Sequence, residues 1–144
     1  MATAPIPVLV VDDNVGFLRV VQAILEDGEP RFRVHTVQSA RDALAFLEQR
    51  PPFAAVPRPA FVVLDYHLPD LNAPEVLRQV RSRAELRPLP VLVLSQADWA
   101  EDETAARAAG ASAFRVKPSR VRALRDVVVG FWKEQAHAGD GPAD

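Results

Sequence analysis

Five short runs of apolar residues recur along the chain, and each is followed by a segment with helical spacing. The runs at 61–64 and 91–94 contain only large apolar residues, which is typical of strands buried on both faces of a parallel sheet. The run at 32–37 alternates polar and apolar positions, as expected for a strand near a sheet edge. The predicted strands cover residues 7–11, 32–37, 61–65, 91–94 and 112–116.

Segments with apolar residues three and four positions apart predict five helices, one after each strand. Asn14 and Ser39 stand where a helix N-cap is expected, because their side chains accept hydrogen bonds from first-turn N–H groups. Asp98 and Ser119 are predicted to begin the fourth and fifth helices in the same way. The third helix is predicted over 73–84.

The alternation of strands and helices predicts the α/β class: a doubly wound five-stranded parallel sheet with five helices covering both faces. A proline-rich segment at 50–59 is expected to be a surface loop before the third strand. One domain over 1–136 accounts for nearly the whole chain. The small and polar residues at 137–144 predict a disordered tail.

Composition and charge narrow the class of protein. The 144 residues carry a formal net charge of −2 and contain no cysteine. This charge gives no broad attraction to nucleic acid or to an anionic membrane, and disulfides, thiolate metal sites and cysteine nucleophiles are excluded. The start of the chain lacks a signal-peptide pattern, and no apolar run approaches the roughly 20 residues of a membrane span. A cytoplasmic protein is therefore expected.

Polar residues stand at the ends of four predicted strands. Asp12 and Asp13 follow the first strand, Asp65 ends the third, Ser95 follows the fourth and Lys117 follows the fifth. In a parallel sheet these strand ends share one edge, so three carboxylates meet there and repel one another unless a cation lies among them. Hard oxygen ligands favour Mg²⁺, which also binds phosphate oxygens. The site predicts phosphoryl chemistry with Asp65 as the nucleophile.

These residues and their intervals resemble the receiver domain of bacterial two-component response regulators, over about residues 7–135. The resemblance implies a flavodoxin-like sheet with strand order 2-1-3-4-5. The signal lies in the order and spacing of several motifs, since each alone is weak. The matching motifs are Val-Val-Asp12-Asp13-Asn14, Leu64-Asp65-Tyr-His-Leu-Pro69, Leu94-Ser95, and Ala-Gly110-Ala-Ser-Ala-Phe114-Arg-Val-Lys117-Pro118.

The same resemblance implies a role for each site residue. Asp65 is expected to accept a phosphoryl group from a sensor histidine kinase in a Mg²⁺-dependent reaction. The other implied roles are the Mg²⁺ ligands Asp12, Asp13, Asp65 and the backbone carbonyl of His67, the switch residues Ser95 and Phe114, and the site lysine Lys117.

Three positions depart from the family pattern. Ala73 stands where a turn glycine is usual, and alanine is costly there if the turn needs a positive φ. Gln96 replaces a small residue and is expected to narrow access to the acyl phosphate. Ser119 stands where an aromatic residue usually follows the Lys-Pro pair. None of these departures removes a chemical group from the site.

No output domain is expected after the last helix, so the receiver is expected to dock to another protein or to pass its phosphate on in a phosphorelay. The proline-rich loop and the Phe131-Trp132 pair are similar to stand-alone receivers that serve phytochrome-type kinases. That aromatic pair is interpreted either as closing the core or as a partner surface. Arg115, Arg122 and Arg125 are interpreted as a solvated face or as a homodimer interface, and the downstream protein is unidentified.

Two other functions use the same residues. A Mg²⁺-dependent phosphatase with an aspartyl-phosphate intermediate usually has a second carboxylate two positions past the nucleophile, where this chain has His67. A pseudo-receiver that serves only as a docking module would not need the acidic, hydroxyl and lysine positions. Those positions are intact, so a phosphoacceptor signalling protein is the leading hypothesis.

Overall fold

The computed structural model describes residues 4–97 and 99–139. Strands and helices alternate along the chain, as the sequence pattern predicts. The strands are β1 (Ile6–Val11), β2 (Phe32–Val37), β3 (Phe61–Asp65), β4 (Val91–Ser95) and β5 (Ala113–Val116). The helices are α1 (Val15–Leu25), α2 (Ala40–Leu47), α3 (Ala73–Ser82), α4 (Ala100–Ala108) and α5 (Ala123–Gly139).

The strands form one sheet in the order β2-β1-β3-β4-β5, and every neighbouring pair is parallel. The predicted α/β class and strand order are confirmed. β2 is an edge strand, as its alternating sequence predicts. Because all the strands run in one direction, their carboxyl ends lie along a single edge of the sheet.

Two apolar layers hold the helices against the sheet. Val8 and Val10 of β1 face the layer formed with α1 and α5, whereas Leu9 and Val11 face the layer formed with α2, α3 and α4. Successive strand residues point to opposite faces, so a strand covered on both sides needs apolar residues at every position. This requirement explains the uninterrupted apolar runs of β3 and β4, whose residues are all buried up to the site.

Side-chain caps begin the first two helices at the predicted residues. The Asn14 side chain accepts a hydrogen bond from the N–H of Phe17 at 3.0 Å. The Ser39 hydroxyl accepts one from the N–H of Asp42 at 3.1 Å. Each bond satisfies a backbone donor that has no partner within its own helix.

The predicted start of the last helix at Ser119 is wrong. α5 begins at Ala123, whose N–H donates to the carbonyl of Arg120, three residues back. A bond of that span closes a tight turn rather than a helical turn, so the chain turns before the helix begins. Asp98, the residue predicted to begin α4, lies outside the described residues.

Two helix ends differ from their predicted positions. α3 ends at Ser82 instead of residue 84, because Arg83 has extended backbone angles. α5 continues to Gly139, three residues into the segment expected to be a tail, and residues 140–144 lie outside the described part of the chain. Among the described helices, none combines the length and apolar character needed to cross a bilayer.

The proline-rich segment at 50–59 forms the predicted loop, but it is anchored to the core. Phe53 packs against Phe46 of α2 with ring centroids 5.4 Å apart, and Phe46 in turn packs against His35 of β2. Val56 also packs against the same apolar layer. The loop is therefore exposed on one side and held by aromatic contacts on the other.

The aromatic pair of α5 closes the core. Phe131 is buried and lies 5.6 Å from the Phe61 ring, and Trp132 stacks on Phe61 at 5.5 Å. These contacts support the core interpretation of the pair over the partner surface.

Candidate functional site

The carboxyl edge of the sheet brings the predicted polar residues together. Asp12 and Asp13 follow β1, Asp65 is the last residue of β3, and Lys117 follows β5. Asp12, Asp13 and Asp65 each place a carboxylate oxygen within 4.8 Å of the others. Four residues from three distant parts of the sequence thus meet at one end of the sheet, as predicted from the strand ends.

The Lys117 ammonium neutralises part of this cluster. Its Nζ atom lies 2.5 Å from Oδ2 of Asp12 and 3.5 Å from Oδ1 of Asp65. The same ammonium lies over the Phe17 ring, 4.5 Å from the ring centroid. Phe17 therefore packs against the charged end of the lysine, which favours its position between the two carboxylates.

Burial changes the acid–base behaviour of Asp65. Loss of solvent raises the pKa of Asp65, the Lys117 charge lowers it, and the nearby Asp12 charge raises it, with a net result of about 6 instead of 3.8. The carboxylate is costly to ionise in this environment because water is largely excluded from it. A second cation beside Asp65 would favour its charged form.

The cluster fits a divalent metal ion. Three carboxylates and one ammonium leave an excess of two negative charges, and all the side-chain donors are hard oxygen atoms. Asp13 is exposed, so an ion can reach the cluster from solvent. The N–H of Asn14 donates to Oδ1 of Asp12 at 2.9 Å, which fixes the orientation of that carboxylate.

The β3–α3 loop, residues 66–72, carries His67 beside the cluster. The loop is closed by a bridge between His67 and Asn72 and by a hydrogen bond from the N–H of Ala73 to the carbonyl of Tyr66 at 2.8 Å. The His67 ring is exposed, with Nε2 3.6 Å from a carboxylate oxygen of Asp102. The ring therefore points to α4.

Ala73 does not create the strain that a positive φ would cause. It is the first residue of α3 and is fully buried. Among the described residues other than glycine, Gln49 is the one with a positive φ. A small side chain at position 73 fits because the helix begins there and packs directly against the core.

The two predicted switch residues are buried beside the site. The Ser95 hydroxyl donates to the carbonyl of Ala97 at 2.9 Å, so it is directed along its own turn. Phe114 packs edge-on against Tyr66, with ring centroids 6.5 Å apart. Neither side chain lines the cleft that contains Asp65.

Tyr66 is a site residue that the sequence reasoning missed. It is buried, it contacts Phe114, and it lies near the Asp102 carboxylate of α4; burial, and then that carboxylate, raise the pKa of the Tyr66 hydroxyl. The signal in the sequence is an aromatic residue directly after the strand-ending Asp65, where its ring can reach α4.

An open cleft of about 720 Å³ surrounds the acidic cluster. Gln96 is exposed at its wall, and Ser119 lines it beside Pro118. Two of the departures from the family pattern therefore lie where they can affect access to Asp65. The third departure, Ala73, is buried and does not line the cleft.

A larger groove adjoins the cleft, and we call it the α1–α5 groove. It shares Val121 with the cleft, and its other lining residues are Arg19, Val20, Ala23, Ile24, Asp27, Gly28, Arg120, Arg122 and Arg125. Val20 is 45% exposed, so it presents an apolar side chain at the groove. The sequence reasoning did not predict this groove.

The contacts of Arg125 fit neither of its two interpretations, a solvated face or a homodimer interface. Its guanidinium donates to the carbonyls of Ile24 and Leu25 at the end of α1 and to that of Pro30 at 2.8 Å. The side chain is half-buried, so Arg125 joins α5 to α1 instead of forming a solvated face or a dimer contact. Arg115 and Arg122 are exposed, which fits both a solvated face and a homodimer interface.

Comparison with known proteins defines the class. The response regulator receiver domain family matches residues 8–129 of this chain. The chain belongs to the response regulator receiver domain family and is a phosphoacceptor signalling domain, as its motifs predict. Its acidic cluster occupies the edge of the sheet at which open α/β folds bind ligands.

Two cyanobacterial proteins are similar along nearly all of this chain. Response regulator Rcp1 of Synechocystis is 28% identical over 133 residues, which cover 90% of each chain. The crystal structure of the phosphorylated cyanobacterial phytochrome response regulator RcpA has a TM-score of 0.82 at 27% identity, covering 94% of this chain and 96% of that one. The Mn²⁺-bound form of Rcp1 has a TM-score of 0.77 at 27% identity, covering 88% and 91%.

Proposed function

We propose that a sensor histidine kinase transfers a phosphoryl group to Asp65 in a reaction that requires Mg²⁺. The observation that supports this most is the meeting of Asp12, Asp13 and Asp65 within 4.8 Å, with the Lys117 ammonium between two of them. The proposed Mg²⁺ ligands are Asp12, Asp13, Asp65 and the backbone carbonyl of His67. The Mn²⁺-bound form of Rcp1 supports a divalent ion in a related receiver.

The proposed reaction is one substitution at phosphorus. A carboxylate oxygen of Asp65 attacks the phosphorus of a phosphohistidine, a P–O bond forms, and the P–N bond to the histidine breaks. The leaving imidazole keeps the electron pair of that bond and takes up a proton. When bound, Mg²⁺ supplies positive charge that offsets the charge of the phosphoryl oxygens. Lys117 turns from Asp12 to a phosphoryl oxygen on the other side.

Phosphorylation then changes the face formed by α4, β5 and α5. The phosphoryl group offers oxygen acceptors beside β4, and the Ser95 hydroxyl leaves the Ala97 carbonyl to donate to one of them. Phe114 repacks against Tyr66 as the β4–α4 segment moves. A partner protein that recognises this face, or a second phosphotransfer protein, receives the signal. The chain acts on no substrate other than its own Asp65.

The cognate kinase is proposed to be phytochrome-type. The similarity to RcpA, a phytochrome response regulator, supports this, because the two folds match over nearly their whole length. We propose that one receiver domain extends to the end of α5 at Gly139 and that the protein acts in the cytoplasm. We also propose that the phosphorylated protein forms a homodimer.

The α1–α5 groove is the surface proposed for the kinase. It is continuous with the phosphorylation cleft through Val121, so a helix seated in it lies beside Asp65. Val20 and Ile24 offer apolar contact, while Arg19 and Arg122 favour acidic side chains on the partner. The proposed occupant is the helix that carries the phosphohistidine.

Incorporation of labelled phosphate tests the proposal. With Mg²⁺, both acetyl phosphate and a phosphorylated sensor kinase should label the protein once per chain, and EDTA should abolish the labelling. Asp65→Asn should take up no label from either donor, and full labelling of that variant would end the assignment. A phosphatase would instead release phosphate continuously, and a pseudo-receiver would not be labelled at all.

A further inference from the structure

Asp70 lies in the β3–α3 loop, and its side chain reaches a different element. One carboxylate oxygen accepts a hydrogen bond from the N–H of Ala40, and the other accepts one from the N–H of Arg41, both at 2.9 Å. Ala40 and Arg41 are the first two residues of α2 and lie about thirty positions away in the sequence. The phosphoacceptor loop is thus fastened to the start of a helix that the proposed reaction does not use.

This contact is separate from the local cap of the helix. Ser39 already satisfies the N–H of Asp42, one turn into α2. Asp70 accepts hydrogen bonds from the N–H groups of Ala40 and Arg41, which Ser39 does not reach. Burial acts to raise the pKa of Asp70, but the backbone donors hold that pKa below its usual range. The α2 start and the charged form of Asp70 therefore stabilise each other.

The other contacts of the loop join its two arms to each other and to the core, whereas Asp70 joins the loop to α2. The bond from Ala73 to the Tyr66 carbonyl and the bridge between His67 and Asn72 join the two arms of the loop to each other. Leu68 is buried against the core. Asp70 is the loop residue whose side chain hydrogen-bonds to α2, so it sets the position of the tip relative to the sheet edge.

We propose that Asp70 is a positioning residue that holds the His67 carbonyl in place for the metal ion. This inference rests on the proposed function, because it assigns the His67 carbonyl as a ligand. Residues that fix the orientation of a metal ligand affect metal affinity without contacting the ion. Loss of the carboxylate should let the loop tip move, misplace that carbonyl and weaken both metal binding and phosphorylation.

Asp70→Ala and Ser39→Ala form a matched pair for the test. Both remove an acceptor from the start of α2, but only the first releases the loop. Binding of Mn²⁺, followed by electron paramagnetic resonance of the free ion, should weaken about tenfold in Asp70→Ala and stay within about twofold in Ser39→Ala. Amide hydrogen exchange across residues 66–72 should accelerate only in Asp70→Ala.

Equal Mn²⁺ affinity in wild type and Asp70→Ala would overturn the inference, and so would an equal loss in both variants, which would indicate a general effect of α2. If Asp70→Ala does not fold, Asp70→Asn replaces it, since one oxygen remains for Ala40 while the amide group faces the Arg41 N–H. That variant should show an intermediate loss, and wild-type affinity would overturn the inference. Failure of the proposed function differs, because wild type itself would then take up no label.

Discussion

The Lys117 ammonium lies closer to Asp12, at 2.5 Å, than to the proposed phosphoacceptor Asp65, at 3.5 Å. In this state the lysine is the partner of a carboxylate proposed to bind the metal ion. Asp12 is buried, so without the ammonium its charge would be uncompensated. The Lys117 ammonium therefore stabilises the cluster in this structure, and its proposed contact with a phosphoryl oxygen requires that it leave Asp12.

Lys117→Met should separate these two roles. In EDTA the variant should be less stable than wild type by about 3 kcal/mol, because the buried Asp12 loses its charged partner. Mg²⁺ should restore much of that loss and bind several-fold more tightly, since no ammonium competes for the carboxylates. Labelling by acetyl phosphate should nevertheless fall sharply. Denaturant titrations with and without Mg²⁺ measure the change in stability. Equal Mg²⁺ affinity in wild type and Lys117→Met would contradict a competition between the ammonium and the metal ion.

The pKa of Asp65 predicts a pH-dependent stability in metal-free buffer. Burial, opposed by Lys117, raises this pKa from 3.8 to about 6. The folded state thus binds the proton more tightly, and the stability that this gives is present below pH 3.8 and lost as the pH rises through about 6. At about 1.4 kcal/mol per pKa unit, Asp65→Asn should be more stable than wild type by about 2–3 kcal/mol near neutral pH.

Urea titrations of both proteins in EDTA, from about pH 4 to about pH 8, measure this difference. The advantage of Asp65→Asn should shrink toward the acidic end of the range. A difference that does not vary with pH would show that Asp65 does not titrate in this window.

Arg125→Met should destabilise the fold without changing the chemistry. The substitution leaves the carbonyls of Ile24, Leu25 and Pro30 without their donor, at a cost of about 2 kcal/mol. Arg122→Met, on the exposed side of the same region, is the control and should change stability by less than about 0.5 kcal/mol. Thermal unfolding compares the two, and similar losses in both would contradict the role of Arg125 as a link between α1 and α5.

Val20→Asp tests the groove proposed for the kinase. A carboxylate at this exposed position opposes an apolar, acidic helix and should lower transfer from the phosphorylated kinase by about tenfold or more. Labelling by acetyl phosphate needs no docking surface and should be unchanged. Initial rates with both donors measure the ratio, and equal loss with both donors would show that the substitution damages the cleft instead.

The sheet and the acidic cluster were predictable because they follow from local patterns. Uninterrupted apolar runs define β3 and β4, and a strand that ends in a charged residue must place it at the end of the sheet, where other polar groups can lie beside it. Once the order of strands and helices is known, the parallel direction brings Asp12, Asp65 and Lys117 to the same place. The identities of those residues then define the chemistry of the site.

The contacts that position the loop and the helices were not predictable in this way. Asp70 and Arg125 have ordinary surface side chains, and their partners are backbone groups about 30 and 100 positions away. Backbone donors and acceptors carry no sequence signature, so nothing in the pattern indicates which side chain will satisfy them. The start of α5 was misplaced for a related reason: Ser119 has the chemistry of a cap, but the backbone turns before the helix.

The position of the phosphate tests the central claim most directly. After labelling with acetyl phosphate and Mg²⁺, reduction with borohydride cleaves an acyl phosphate and leaves the reduced side chain at the phosphorylated residue, which peptide mass spectrometry then locates. We predict a single reduced site at Asp65. Reduction at Asp12 or Asp13, or phosphate retained on a histidine such as His67, would contradict the account.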